Sequence, residues 1–572
     1  MKFDAEALVI GSGFGGGVLS CRLAKKWPQD VIVIERGKRY GFGAFPRTPH
    51  DMANNFYVQR EDGHKRPKFV PKDSTTGLFD IRSYDHIDIV QAAGLGGGSL
   101  IYANVFLEPP EAIFDERWPD TCKKKDLQPY YEVAKKVLGA RTIPVNDQDP
   151  RRTMTRTQYF AKAATALGRK SELVPLMVYF GKDPAKPLAP GLQETNRYGA
   201  LQSSCNYCAE CDLGCNVQAK NSTDLNYLHV AEHKYGARIM TEHEAQSIAP
   251  LNASGHVDTQ ASGEHGYEVL VRDLKNGNLR PFRVRRVVTA AGTLGTNELL
   301  LKCRNKMKTL PLISRKLGHN FSGNGDFLSF IVDADRPANP NYGPVITQRI
   351  DYNLYENFDK ERAFIMEDAS YPNILAWFIE GQKPTIFKLK AFWRGLTTVL
   401  GTLLRHPTMG RMGVILNRFL GNDLSYKASV HLCMGLDKSD GSMQLDETGK
   451  LAIHWPTKNS RKLYDAIDEA LHQFKKVVNG RIMFHMPTWS WPFRRNVSVH
   501  PLGGCSLGPD PERGVTSSLP ETFGAVHNYR NLYVADGSLF PTAVGANPSA
   551  TIAALAERVA QGITGERPSD DL

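Results

Sequence analysis

The chain has 572 residues, 41% of them hydrophobic, 23% charged and 9% aromatic, enough to bury more than one domain-sized core. Its 50 glycines and 34 prolines are spread throughout, which excludes a repeat array or a disordered polymer, and the mean hydropathy is −0.36. Lys+Arg exceeds Asp+Glu by 71 to 60, a formal charge of +11 that is too mild at this size to imply nucleic acid. No apolar run reaches the ~18 residues of a membrane span, and no charged segment followed by an apolar one marks a secretion signal. Nine cysteines, four of them between positions 205 and 215, do not resemble a secreted disulfide framework. The expectation is a cytoplasmic protein.

The first predicted strand, Ala5 to Ile10, runs into Gly11-Ser12-Gly13-Phe14-Gly15-Gly16. A helix-compatible stretch, Val18 to Lys26, and a second strand, Val31 to Ile34, ending in Glu35, follow. This is the order of a dinucleotide-binding turn. Gly11 allows the tight turn, Gly13 the approach of a pyrophosphate to the helix N-terminus, and Gly16 close packing of helix on strand. Glu35 stands where an acid accepts hydrogen bonds from a ribose. This turn alone does not separate FAD from NAD. Residues 38 to 72 read as loop, and a second glycine-rich loop is Gly94-Leu95-Gly96-Gly97-Gly98-Ser99. Residues 138 to 200 carry no interpretable motif.

Cys205-x-x-Cys208-x-x-Cys211-x-x-x-Cys215 has the spacing of a bacterial ferredoxin run, with Asn216 where proline usually follows. An iron–sulfur cluster, a structural zinc site, and reduced or disulfide-linked structural cysteines all fit that spacing. Val287 to Thr296 reads as a buried strand, a turn, and a helix starting near Asn297. From Gly381 to Gly421 there are seven Lys or Arg and no acid, interleaved with Phe387, Phe392, Trp393 and several leucines. That composition suits either an amphipathic segment at an anionic bilayer surface or a lid with a solvated basic face. Asp437 to Trp455 alternates like strands. Near the C-terminus come Ser498-Val499-His500-Pro501-Leu502-Gly503-Gly504, then Asn531 to Ser538 with Asp536 and Gly537, then Gly545-Ala546-Asn547-Pro548 before a helix from Ser549.

These segments, in this order from about residue 5 to 565, resemble the glucose–methanol–choline (GMC) family of flavin oxidoreductases, and within it the cholesterol-oxidase-like branch. The resemblance implies an α/β fold. A Rossmann-like FAD-binding domain (1–42, 221–325 and 525–572) would be interrupted by an α+β substrate-binding domain on an antiparallel sheet (43–220 and 326–524), which lends the flavin loop 90–105. It implies non-covalent FAD held by Gly11, Gly13, Gly16, Glu35, Gly96, Gly97, Gly98, Ser99, Asn104, Gly292, Asp536, Gly537, Asn547 and Pro548. His500 and Asn547 match the family's active-site pair. A neutral imidazole can take the hydroxyl proton of an alcohol, and an amide can orient that alcohol without changing charge.

Glu367, in Phe364 to Ala369, lies where cholesterol oxidases carry the base that shifts a steroid double bond; the bland reading is a surface acid beside Asp368. Two departures, Ser549 for a bulky aromatic and Tyr102 for asparagine, leave the electron acceptor open among oxygen, a quinone and a redox protein. The expected reaction is oxidation of a hydrophobic secondary alcohol, a sterol or hydroxysteroid, to the ketone, at or near the inner face of the cytoplasmic membrane. The alternatives are a non-steroid alcohol dehydrogenase passing electrons through a cysteine-bound iron–sulfur cluster, and a redox-silent FAD-binding protein or lyase.

Overall fold

Ala5–Ile10 is apolar at nearly every position and forms a strand buried on both faces, as in a parallel sheet covered by helices. It pairs in parallel with Val31–Glu35 on one side and with the second half of the long Leu279–Thr289 strand on the other. Arg238–Thr241 extends the parallel order at one edge, and Leu532–Val534 pairs in parallel with residues 287–289. The first half of Leu279–Thr289 takes antiparallel partners instead, Tyr267–Asp273 and then His243–Pro250, completing a seven-stranded sheet. The helices Phe14–Lys26 and Ser549–Thr564 pack on one another. They are joined by a buried Arg22–Glu557 ion pair whose Oε1 also accepts from Tyr227. The computed structural model describes residues 2–57, 75–145, 149–372, 423–485 and 495–572.

The second large sheet is antiparallel throughout. Its six strands run in the order Ile482–His485, Phe327–Val332, Ser429–Gly435, Phe364–Ala369, Ile346–Tyr352, Ser171–Leu173. Helices Thr155–Ala166 and Arg461–Val477 cover one face, where the rings of Phe160, His431 and Phe474 pack together. Strand alternation turns Glu367 to the other face. A four-stranded antiparallel sheet, in the order Leu451–His454, Gly441–Leu445, His319–Ser322 and Leu502–Gly504, includes the alternating segment after Asp437.

One expected boundary moves. The helix after Thr289 begins at Gly292, not near Asn297. Gly292 makes the turn in a single residue at φ +75°, and Ala291 N–H donates to Thr296 Oγ1, which closes the first turn. The basic apolar segment 381–421 lies outside the described residues. Among the described residues no helix is long and apolar enough to cross a membrane.

Candidate active site

The nucleotide end of the site is built from glycine contacts. A Cβ on Gly11, at φ +97°, would lie 2.3 Å from Ala290 O, and one on Gly16 would lie 2.0 Å from Gly11 O. Gly15, which the sequence reading passed over, is tighter still: its Cβ would fall 1.4 Å from Ala535 O. Only glycine lets the Phe14–Lys26 helix descend onto the end of the Leu532–Val534 strand. Gly97 meets Gly13 backbone to backbone, a Cβ there falling 2.7 Å from Gly13 Cα, so the two glycine-rich loops form one continuous surface. Ser12 ties them together. Its Oγ donates to Glu35 Oε2 (2.5 Å) and accepts from Gly96 N–H (3.0 Å).

Ser99 Oγ donates to Gly96 O and accepts from Thr223 N–H. Asn104 is fully buried at φ +68°. Glu35 also accepts from Gly37 N–H, and burial raises its carboxyl above the ordinary range. Asp536 begins the short Gly537–Leu539 turn, accepting from Ser538 N–H, Ser538 Oγ and Thr296 Oγ1. Its carboxylate therefore shapes the turn, and Gly537 offers backbone.

These residues fit FAD. The helix N-terminus at Gly13 has no side-chain cap, leaving amides for a pyrophosphate. Gly98 has no atom within 4 Å of where a Cβ would stand. The Gly11–Gly16 turn lies at the carboxyl end of a strand with parallel neighbours, where doubly wound sheets bind nucleotides, and the Gly96–Ser99 loop packs on it.

The other end of the candidate site is built from side chains. His500 follows the Asn496–Ser498 strand, and its Nδ1 lies 2.8 Å from Asp326 Oδ1. Asp326 Oδ2 accepts from Ser498 Oγ, Val499 N–H and His500 N–H, so the carboxylate is accepting on both oxygens. The imidazole proton then sits on Nδ1, which leaves Nε2 as the basic nitrogen.

Glu367 and Asp368 are neighbours on one strand and so point to opposite faces. Asp368 pairs with Arg156 (2.6 Å) on the helix-covered face. Glu367 points the other way, where Asn547 Nδ2 donates to its Oε2 at 3.3 Å. It is fully buried, which overturns the surface-acid reading. Burial pushes its carboxyl up to about 8, with the charges of Asp368 and Asp326 adding to the rise; the Asn547 hydrogen bond and Arg349 oppose it. Among the described residues, Glu367 Oε1 and Asn547 Oδ1 have no hydrogen-bond partner, which is what a site awaiting a polar substrate group presents. The Ser549 hydroxyl donates to Val105 O at the start of the last helix.

The cysteine segment does not fit a metal. Among the described residues no three His, Cys, Asp or Glu side chains are placed to hold an ion. Cys205 and Cys211 are buried, and Cys208 and Cys215 half-buried. Burial pushes the Cys208 thiol up to about 12 and also raises those of Cys205 and Cys211. The iron–sulfur and zinc readings of Cys205, Cys208, Cys211 and Cys215 are therefore corrected to packed thiols. Left-handed Tyr207, Ala209 and Gln218 wind the segment. Buried Lys220 anchors it to the flavin loop by donating to Leu100 O, Tyr102 O and Cys211 O.

Residues 191–322 and 437–556 match the GMC oxidoreductase family. A 6'''-hydroxyparomomycin C oxidase of Streptomyces lividus is 38% identical over 99% of this chain and 92% of its own length. A cholesterol oxidase of Acinetobacter baumannii is 29% identical over 97% of this chain and 94% of its own length. The crystal structure of pyridoxine 4-oxidase from Mesorbium loti superposes with a TM-score of 0.58 at 13% identity, covering 98% of this chain and all of that one.

Proposed function

Because this chain belongs to the GMC oxidoreductase family, whose members imply FAD and act on alcohols, we propose that it oxidises a hydrophobic secondary alcohol, a sterol or hydroxysteroid 3-hydroxyl, to the ketone. What supports the reading is His500 held by Asp326 and Asn547 bonded to buried Glu367, the two linked through the turn that carries Asn324 and Asp326. FAD, when bound along Gly11–Gly16, Glu35, Gly96–Ser99 and Gly537, supplies the acceptor for the carbinol hydride. The chain's own residues handle the proton and the geometry.

His500 Nε2 takes the hydroxyl proton while Asp326 holds Nδ1. Asn547 donates to Glu367 through Nδ2, which leaves its Oδ1 as a partnerless acceptor that helps orient the substrate. Glu367, neutral below about pH 8 and ionised above it, is suited to moving a proton alpha to the new ketone. This supports isomerisation after oxidation. In this reading the FAD-binding part comprises 1–42, 221–325 and 525–572, and the substrate part the remainder.

Ile365 on the same strand and Leu432 opposite it share the face of Glu367 and favour a hydrocarbon-rich substrate. The greater identity to the Streptomyces lividus oxidase favours a second reading, an alcohol of the 6'''-hydroxyparomomycin C type. Anaerobic mixing with cholesterol in detergent, hydroxysteroids, long-chain alcohols and 6'''-hydroxyparomomycin C, followed by flavin bleaching, separates the two readings. Bleaching by none of them refutes both. A membrane surface as partner rests on the sequence of 381–421. Anionic liposomes should bind the protein better than neutral ones, the difference shrinking as salt rises; equal binding to both would remove this partner.

A further inference from the structure

We propose that the turn Ser322–Asp326 is a single positioning bracket that sets both His500 and Asn547, with Asp326 fixing the imidazole tautomer and Asn324 fixing the Asn547 loop. The inference rests on the reading of His500 and Asn547 as the pair that meets the alcohol. The turn is itself over-determined. Asn324 and Gly325 are left-handed (φ +59° and +62°), and a Cβ on Gly325 would lie 2.5 Å from Gly435 O. Buried Asp437 accepts from Ser322 Oγ, Gly323 N–H and Gly325 N–H, gathering the turn around one carboxylate.

From this turn two arms extend. Asp326 gives Oδ1 to His500 Nδ1 and Oδ2 to three donors of the Ser498–His500 backbone and side chain. Asn324 Oδ1 accepts from Val544 N–H and Gly545 N–H (3.0 Å each), and its Nδ2 donates to Ala546 O at 2.9 Å. One residue earlier, Ala543 N–H donates to Ser439 Oγ, and Ser439 is itself bound to Asp437. Four consecutive residues ahead of Asn547 are thus hung from Asp437 and the turn it holds. A catalytic pair brought from positions 47 residues apart in sequence needs such a shared reference, because misplacement by about 1 Å can cost on the order of 10² in rate.

Three variants separate the arms. Asp326→Asn is isosteric but cannot accept all four contacts. Asn324→Gly keeps the left-handed backbone and deletes the amide. Asn324→Asp restores the two acceptor contacts only. The first readout is the nitrogen NMR of histidine-labelled, flavin-loaded protein, with the His500 signal assigned by comparison with His500→Gln. It requires no substrate and therefore stands or falls apart from the proposed function. The wild type should show Nδ1 protonated and Nε2 bare, and Asp326→Asn should mix the tautomers. A wild type protonated at Nε2 overturns the proposal, even should a variant not fold.

The second readout is single-turnover flavin reduction by cholesterol or, if cholesterol is inert, by the alcohol that bleaches the flavin. Asp326→Asn should lose roughly 10²–10⁴ in rate, and Asn324→Gly about 10-fold or more. Both should keep wild-type flavin content and wild-type affinity for the ketone product, and Asn324→Asp should recover part of the loss. The double variant Asn324→Gly/Asp326→Asn should lose little more than the worse single variant. Losses that multiply would mean two independent props and would overturn the shared bracket.

Discussion

Where the Gly11–Gly16 turn meets the Gly96–Ser99 loop, backbone touches backbone, and the binding surface is made by what the side chains lack. At the alcohol end each contact runs through a side chain instead: Asp326 to His500, Asn324 to the 544–546 loop, Asn547 to Glu367. At Gly11, Gly15, Gly16 and Gly97 the first region tolerates no added atom, because the neighbours there are backbone groups that cannot step aside. The second tolerates shape but not loss of charge or hydrogen-bonding sense. One region therefore fails by not assembling, the other by assembling and not reacting.

The sharpest way to break this distinction is Gly15→Ala. With its Cβ placed 1.4 Å from Ala535 O, the strain should exceed the roughly 1–3 kcal/mol of ordinary overpacking. Flavin content and melting temperature should both collapse, whereas Gly98→Ala, with open space at its Cβ, should keep the apo-protein melting temperature and only weaken FAD retention. A fully flavinated Gly15→Ala would contradict the backbone account. At the other end, His500→Ala should bind FAD normally and lose about 10² or more in turnover, the usual share of one proton-transfer group. Turnover within a few-fold of wild type would remove His500 from the chemistry.

Glu367→Gln divides the alcohol end further. It should retain oxidation and lose double-bond isomerisation, and the wild-type isomerisation rate should rise with pH through about 8 as the carboxylate forms. The same group carries a stability signature. Its folded value lies above its unfolded one, so the native state holds the extra proton between about pH 4.5 and 8, and stability falls as pH rises across that window. Other buried carboxyls such as Asp212 and Asp224 contribute in the same direction, so melting curves of Glu367→Gln should show a shallower slope, and an unchanged slope would place Glu367 in water. The smallest effect should come from Cys208→Ser with Cys215→Ser. These half-buried thiols should be replaceable with activity within a few-fold and no iron in either protein; stoichiometric iron with labile sulfide would restore the cluster reading.

The two regions also differ in how far they could be read from sequence. A parallel nucleotide-binding sheet and its glycines are local: strand, turn, helix and acid fall within about 30 residues, and each glycine marks a contact made close by in sequence or along one sheet. Even there Gly15 escaped notice, because its partner Ala535 arrives from the far end of the chain. His500 and Asn547 can be proposed from the order of motifs and Glu367 from the family resemblance, but Asp326 and Asn324 from neither. Asn324-Gly325-Asp326 reads simply as a turn, and nothing local says that its carboxylate will meet an imidazole 174 residues later. The cysteine spacing misled for a related reason. Spacing predicts a shared ligand only when the backbone turns the sulfurs inward, and here the positive φ angles at Tyr207, Ala209 and Gln218 and the Lys220 anchor set a different path.

The most direct test is an anaerobic titration of the FAD-loaded protein with cholesterol in detergent, following the visible flavin absorbance and the steroid product together. The account predicts bleaching of the flavin with one equivalent of 3-ketosteroid formed, and neither in His500→Ala on the same time scale. Flavin that stays oxidised with cholesterol and every hydroxysteroid tested, while 6'''-hydroxyparomomycin C or a long-chain alcohol bleaches it, would contradict the sterol assignment.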